Sequence, residues 1–554
     1  MKKQLTKRIL VAVLSIAAVT GSLGGCSKES GSVSSSSPSP FPTESKPTLS
    51  SSVANPSSAA QDEKPVDITW YQINRASSVA KSMDEIRAFQ EIAKATNINL
   101  TFEHPAAGSN SNEQINLLIA SNALPDIIFW NWKSMPGGIT KYVEEDVAIP
   151  LNDLDTPYYD AVLDKYPECK KYAYLEDGVL PAFYQLDPDP QRTTYGGFVV
   201  RQDWLKKLGL EIPETIDDWH NVLTAIKTQD PNGNGQNDEL PYMEQKGGNL
   251  SSFAAAYGVL PGLCYDPATG KVVYGPAQSS YKEFLLTMNQ WYSEGLIDPE
   301  FATNDSKQFI AKIQNELAGT WTGTINKAVG NNILVVRETN PDFSNLGITA
   351  PKKNADGIPY SPKSDALMKL GESGIITSSS QNPQAAARLL DYCYSEEGNT
   401  LLNWGIEGES YEVVNGEKKF TDKIMHPEDN EAPTAAIMRY ALPATGSSKV
   451  MDFAAASQVQ YIYQESFDSI ANWMKSDTSL MIHPNLQYTA DESAQIANII
   501  NECTTYHDEM VLKFILGTEN IEEKFDSFVE EFKKMNIDQA VKLTQDSVDR
   551  MNAR

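Results

Sequence analysis

Between Val66 and Trp130 short apolar runs alternate with stretches whose apolar residues recur at helical spacing, and that alternation restricts the fold more than any other feature. Val66-Asp67-Ile68-Thr69-Trp70-Tyr71 predicts a strand, after which Ile86, Phe89, Ala93 and Thr96 share one helix face. Leu100-Thr101-Phe102 predicts a second strand, Ile115 to Ala120 a second helix, and Asp126-Ile127-Ile128-Phe129-Trp130 an apolar third strand. Strands joined through helices lie parallel, with helices on both sheet faces, so the expected class is α/β. In such sheets ligands bind beyond the carboxyl ends of the strands. Here that position holds Gln72, Asn74 and Arg75 after the first strand, and Trp130, Asn131, Trp132 and Lys133 after the third.

A second unit begins near Gly197-Phe198-Val199-Val200-Arg201, which runs into a helical stretch from Gln202 to Leu208. Thr215 and Asp218 form a capping box for a helix to about Thr228. Tyr281, Phe284, Leu285, Met288 and Tyr292 mark a further helix closed by Gly295. Gly374-Ile375-Ile376 precedes Asn382-Pro383, an N-cap with proline in the first turn, and a helix to Gly398. From about Thr489 onward the pattern is helical, with Phe525, Phe528, Val529 and Phe532 on one face, and no internal repeat is present.

What precedes the first strand is of another kind. Lys2, Lys3, Lys7 and Arg8 lead into an apolar run from Ile9 to Val19 and then Leu23-Gly24-Gly25-Cys26, the order of a secretory signal. The run is shorter than the about 20 residues that cross a bilayer, so residues 1–25 are expected to be removed. A cysteine directly after Leu-Gly-Gly resembles the bacterial lipobox, which implies that Cys26 becomes a lipidated N-terminus anchored by two acyl chains. The alternative is an ordinary signal with a chance cysteine. Residues 26–64 are nearly all Ser, Pro, Thr, Ala and Gly, the composition of a disordered tether. At about 3 Å per residue it reaches on the order of 100 Å.

Composition narrows the function. Hydrophobic residues make up 41% of the 554, ordinary for a globular chain, and the part beyond the tether suffices for two or three domains. A formal net charge of -27 without clustered Lys or Arg argues against a nucleic-acid partner and disfavours a strongly anionic ligand. Besides Cys26, the cysteines Cys169, Cys264, Cys393 and Cys503 are widely spaced and follow no metal-ligand pattern. An extracellular setting permits one disulfide, though isolated buried thiols are the commoner outcome, and no pairing is assigned. Neither Gly-x-Ser-x-Gly, His-Glu-x-x-His nor a phosphate loop occurs. The five histidines, His104, His220, His426, His483 and His507, are scattered and read as surface or packing residues.

Asp230-Pro231-Asn232-Gly233-Asn234-Gly235-Gln236-Asn237-Asp238-Glu239 places oxygen side chains at loop positions 1, 3, 5 and 9 and glycine at 6, the spacing of a calcium loop. Position 12, ordinarily a bidentate Glu, is Pro241. A metal-free Gly/Asn-rich turn is the alternative.

Taken in order, Leu124 to Trp130, Val200 to Leu210, Asp230 to Pro241, Tyr292 to Pro299, and Ser395-Glu396-Glu397-Gly398 with Gly405-Ile406-Glu407-Gly408 resemble the extracellular solute-binding lipoproteins of carbohydrate ABC importers. This is the family 1 group that includes maltose- and alginate-oligosaccharide-binding proteins, and the resemblance runs from Val66 to the C-terminus. It implies a two-lobed periplasmic-binding-protein-like fold of type II, with a ligand cleft between hinged lobes. Chain order would assign residues 65–198 plus about 371–404 to the N-terminal lobe and 199–370 plus about 405–554 to the C-terminal lobe.

Sugars present apolar C–H faces and a ring of hydroxyls, which call for aromatic platforms flanked by planar hydrogen-bonding groups. Trp130 to Lys133 supply both. Trp321, with Thr322 and Asn326, resembles the cleft-lining segment of maltose-binding relatives; Tyr184, Arg201, Trp404, Glu407 and Tyr411 are further candidates by motif position, and Trp204 and Trp219 are assigned to packing. The alginate-binding relatives imply a structural calcium ion held by Asp230, Asn232, Asn234, the Gln236 carbonyl, Asp238 and Glu239, the acidic pair replacing position 12. The implied function is a monomeric binding protein, not an enzyme, lipid-anchored on the outer face of the cytoplasmic membrane. It would capture an oligosaccharide and deliver it to an ABC permease whose ATPase is encoded elsewhere. An anchored glycoside hydrolase, whose paired carboxylates no sequence pattern excludes, and a binder of peptides or another nutrient are the alternatives.

Overall fold

Strand formation follows the apolar runs. The computed structural model describes residues 64–106, 110–362, 367–427, 431–444 and 446–554; the signal, Cys26 and most of the Ser/Pro tether lie outside the described residues. Within them the strands are β1 (Val66–Tyr71), β2 (Ile98–Glu103), β3 (Ile127–Asn131), β4 (Phe183–Leu186), β5 (Gly196–Arg201), β6 (Leu240–Met243), β7 (Leu263–Tyr265), β8 (Val272–Tyr274), β9 (Ala318–Thr324), β10 (Asn345–Ile348), β11 (Met368–Ile376), β12 (Tyr411–Val414) and β13 (Glu417–Phe420).

The first sheet has the order β2-β1-β3-β11-β4. β1 is parallel to both neighbours, with Val66 opposite Ile98, while β11 runs antiparallel to β3 and β4. Ile127 to Trp130 are all buried, as a central strand covered on both faces requires. The helix Arg87–Ala95 turns Ala88, Phe89 and Ile92 inward, where Trp70, Phe89 and Phe102 form an aromatic cluster with centroids 4.8 to 5.7 Å apart.

The second sheet has the order β10-β5-β9-β6, with β5 antiparallel to β9 and β10 and β6 parallel to β9. Its helix Ile216–Thr228 starts with the Thr215–Asp218 capping box and buries Trp219 against Phe198 and Phe253. β7 with β8 and β12 with β13 form separate hairpins.

The chain leaves the first sheet after Leu186, enters the second at Gly196, and returns between Ile348 and Met368. One part of the chain departs from the expected division. The described residues between 405 and 459 pack beside the first sheet, not the second: Val450 bridges Leu186, and the Arg439 and Tyr440 carbonyls accept from the Arg87 and Ala88 amides. Trp404 continues into a cluster with Tyr411, Phe420, Ile437 and Val459, so the helix end at Gly405 is not a crossing point. Contact with the second sheet resumes at the helix Gln464–Trp473, where Ser469 Oγ accepts from the Gly347 amide at 2.7 Å. The final helices Ala490–Ile515, Ile521–Lys534 and Ile537–Ala553 bury Val511, Phe514, Phe528 and Phe532 in the second core. The segment leading into them and the last of them also reach the first lobe, through Gln487 to the Tyr172 and Tyr174 carbonyls and Arg550 to Glu176. Among the described residues no helix is long and apolar enough to cross a membrane.

Candidate functional site

Both sheets end in a polar pocket at the side where the chain crosses between them. On the first, a cavity of about 240 Å³ lies beyond the carboxyl ends of β1 and β3, lined by Gln72, Arg75, Asn112, Trp130, Asn131 and Glu372. Gln72 Oε1 is buried there without a hydrogen-bond partner among the described residues, while Nε2 rests on Met83 Sδ at 3.0 Å. Trp130 Nε1 donates to Asn112 Oδ1 at 3.1 Å, which fixes the indole plane, and Arg75 lies 3.6 Å from Glu372.

On the second sheet a cavity of about 140 Å³ is formed where β5 begins and β9 ends, with Ser252, Thr322, Thr324, Ser361, Trp473 and Ser476 on its wall. Trp473 lies flat against two glycines: a Cβ at Gly197 or Gly347 would come within 2.6 Å of its ring. Its Nε1 donates to the Phe198 carbonyl at 2.9 Å.

A third cavity, about 390 Å³, is shared by Trp132, Lys133 and Tyr184 of the first lobe with Pro484, Gln487 and Ile496 of the C-terminal segment. Lys133 Nζ donates to the Pro484 carbonyl at 2.5 Å. Tyr184 is fully buried, its hydroxyl has no partner among the described residues, and burial raises its pKa.

The sequence-derived candidates therefore divide. Gln72, Arg75, Trp130 and Asn131 share one pocket, and Trp132, Lys133 and Tyr184 share another. Asn74 instead folds its own loop, donating to the Ala80 and Lys81 carbonyls. Arg201 sits at the opposite end of β5 from the crossing, about 17 Å of strand away. It is locked there by a bidentate pair with Asp203, by Glu316 at 3.0 Å, and by the rings of Trp204 and Phe343, each at 4.4 Å. Trp321 points into the core beneath β9 and donates to the Ala328 carbonyl; strand alternation turns its neighbour Thr322 to the pocket instead. Trp404 is core, bonded to Asp452 at 2.7 Å, and Glu407 lies exposed in the turn before β12. Asn112, Ser252, Glu372 and Trp473 line the pockets without a sequence signal that could have marked them, since each depends on tertiary pairing.

The 230–239 loop adopts a turn built around one carboxylate. Asp230 Oδ1 accepts from the Gly233 and Asn234 amides at 2.8 and 3.1 Å, and Oδ2 from Gly235 at 3.0 Å. Gly233 and Gly235 both take φ of 76°, which only glycine adopts freely. Asn232 and Asn234 turn their amides to Asp238. Glu239 is buried, and neither carboxylate oxygen makes a hydrogen bond of good geometry among the described residues; burial first, then Asp230 and Asp238, hold its pKa up against the weaker pull of the Glu239 and Asn232 amides. Those two orphaned oxygens, among acidic neighbours, fit a hard cation. As the loop stands, no three His, Cys, Asp or Glu among the described residues are spaced to hold a metal.

Similarity to known proteins agrees with this architecture. The chain is 25% identical over 494 residues to the fructooligosaccharide ABC transporter substrate-binding protein FusA of Streptococcus pneumoniae, covering 85% of this chain and 88% of FusA. It is 27% identical to lipoprotein LipO of Bacillus subtilis, covering 77% and 82% of the two chains. The crystal structure of the alginate-binding protein AlgQ2 without calcium ion superposes with a TM-score of 0.68 at 24% identity over 88% of this chain and 98% of that one. A FusA EF-hand mutant in complex with fructo-nystose superposes equally at 0.68, with 23% identity over 88% of this chain and all of the other. The fold is thus the two-lobed α/β fold of periplasmic-binding-protein-like solute receptors. Residues 80–400, more than half of the chain, match the bacterial extracellular solute-binding proteins, and the protein belongs to that family.

Proposed function

We propose that the protein captures an oligosaccharide between its two lobes outside the cell and presents it to the permease of an ABC importer. The observation that carries this reading is the pair of polar pockets at the crossing side of the two sheets, one flanked by Trp130 and Gln72, the other by Trp473, Thr322 and Ser252. Such a set offers ring faces for sugar C–H surfaces and short polar side chains for hydroxyls. The Arg75–Glu372 pair leaves the first pocket without an unpaired charge from those two groups, which suits a neutral sugar. FusA, a relative over most of the chain, is named for fructooligosaccharides, which supports the class. Ligand contacts made to both walls only when the lobes approach would shift the population toward a closed form that the permease reads. Cys26 would hold the protein at the outer membrane surface through its lipid, and the protein would act as a monomer without catalysis.

We further propose that the 230–239 loop holds a structural calcium ion through Asp230, Asn232, Asn234, the Gln236 carbonyl, Asp238 and Glu239. Glu239 supports this, because a cation would give its buried oxygens the partner they lack. The ion would supply cohesion and no chemistry.

Thermal unfolding of the purified protein with a panel of neutral and acidic oligosaccharides tests the first reading. A ligand at 100 times its Kd should add about 2.7 kcal/mol. A sugar-specific rise without cleavage products is expected. Cleavage of a glycan would sink the binding reading, and a response to peptides alone would sink the sugar.

A further inference from the structure

Glu244 stands just behind the wall of the second pocket. It follows β6 directly, on the crossing side of the second sheet, and is only 4% exposed. Its Oε2 accepts from the Leu250 amide at 2.5 Å, and its Oε1 accepts from Thr322 Oγ at 3.4 Å. Thr322 and Ser252, two residues beyond Leu250, are both on the second pocket's wall. One carboxylate thus joins the two chain segments that build that wall.

The intervening loop is shaped around this carboxylate. A Cβ at Gly248 would fall 2.3 to 2.6 Å from the carboxylate atoms, so the group sits directly against backbone. Asn249 and Leu250 take φ of 50° and 57°, a left-handed conformation that side chains other than glycine adopt only when held. Leu250 is fully buried, and the bond from its amide to Glu244 opposes that strain. Ser251 turns back to the Gly248 carbonyl and starts the short helix Ser251–Tyr257.

We propose that Glu244 is a positioning residue for the ligand: its carboxylate clamps the 248–252 turn to β9 and, while ionised, holds the Thr322 hydroxyl as an acceptor toward the cleft, a polarity that protonation reverses. The proposal rests on the cleft reading given above. While Thr322 donates to the carboxylate, only its oxygen lone pairs face the pocket, so the ligand must offer a hydroxyl hydrogen there. A neutral carboxyl still accepts from the Leu250 amide and can itself donate to Thr322, reversing that polarity.

The groups around Glu244 leave its charge uncompensated. On its own strand is Tyr242, whose phenol is pushed up by burial and by Glu244. β9 contributes Thr322, and the turn contributes the Leu250 amide. Asn304 donates to the Glu244 carbonyl and is itself tied to Asp298 and Lys312, while Lys327 binds Gln245. Burial without a cation moves the carboxyl up to about 7, so both states are accessible near neutral pH.

Hydrogen exchange of the Leu250 amide in the ligand-free full-length protein tests the clamp without needing a ligand. Opening the turn solvates the carboxylate and returns its pKa toward the ordinary value, so the closed turn holds the proton more tightly, and protection corrected for intrinsic rates should rise about tenfold from pH 8 to pH 6 with its midpoint near pH 7. Glu244→Gln, which keeps an acceptor for Leu250, should give a flat profile; Thr322→Val should keep the pH dependence of Leu250. Equal protection at both pH values, or a titration surviving in Glu244→Gln, would overturn the clamp. The affinity for kestose and for each sugar that raises the unfolding temperature, measured across the same range, should weaken toward pH 6 in the native protein but not in Glu244→Gln. A flat native affinity profile would overturn the positioning role. If no sugar in the panel binds, the oligosaccharide reading falls and with it the positioning role, while exchange at Leu250 still decides the clamp.

Discussion

Asp391 shows how one side chain can serve an element far from it in sequence. The helix Pro157–Lys165 begins at Thr156, whose side chain makes no cap, and its first amides turn to Asp391 instead: Tyr159 N donates to Oδ1 at 2.8 Å and Tyr158 N to Oδ2 at 3.4 Å. A helix N-terminus favours the carboxylate, yet burial outweighs those bonds and moves the group up to about 7. The folded state therefore holds this proton at pH values where the unfolded chain has lost it, so the group's contribution to stability falls as pH rises between about 4 and 7. Asp391→Asn should flatten that part of the stability curve by on the order of 1 kcal/mol, read from urea unfolding at pH 5 and pH 8. A loss of stability at pH 5 as large as that at pH 8 would assign the residue a capping role alone. Gly347 makes a second point at this scale. An alanine there would drive a Cβ to within 2.6 Å of Trp473 and of the Ser469 side chain, and should cost about 1–3 kcal/mol in thermal unfolding. None of this was legible beforehand, because neither Asp391 nor Gly347 belongs to a local pattern that predicts a partner hundreds of residues away.

At the level of elements, β6 links the two acidic features of the second lobe. Four residues separate Glu239, in the 230–239 loop, from Glu244 at the cleft, about 17 Å of strand. If the loop holds calcium, excess chelator should lower the unfolding temperature of the native protein and leave Glu239→Gln unchanged; equal temperatures with calcium and chelator in the native protein would argue for the metal-free turn. Local elements were the readable ones: the βαβαβ order from Val66, the Thr215–Asp218 capping box and the helix closed by Gly295 each depend on a few consecutive residues, whereas the helix expected from Asn382 to Gly398 ends at Tyr392 and a second one starts at Glu396. The allegiance of residues 405–459 was not readable. Their hairpin and short helices carry no periodicity that distinguishes one sheet from the other, and long-range contacts decide it: the Leu186–Val450 bridge, the Arg439 and Tyr440 carbonyls on the Arg87 and Ala88 amides, and the Trp404 cluster. Arg201 and Trp321 misled for a related reason. Each belongs to a recognisable motif, but strand direction and alternation, which no motif encodes, turn them away from the cleft.

Over the whole molecule, the crossings between the sheets set what ligand binding can move. Asp187 and Arg192 pair at 2.6 Å within the first crossing, and the C-terminal helices contact both lobes. Closure should then appear in small-angle scattering as a reduced radius of gyration when a binding sugar is added; an unchanged radius would mean that the pockets meet without lobe motion. The four described cysteines add something of practical use. Cys169 and Cys393 are buried in the first core, Cys264 and Cys503 in the second lobe, and all are free, with burial raising their pKa to about 11 or 12. A thiol so protonated and enclosed reacts only when its surroundings open. The chain thus carries two pairs of internal clocks, one per lobe, and the order in which a thiol reagent modifies them at increasing urea would report which half of the molecule comes apart first.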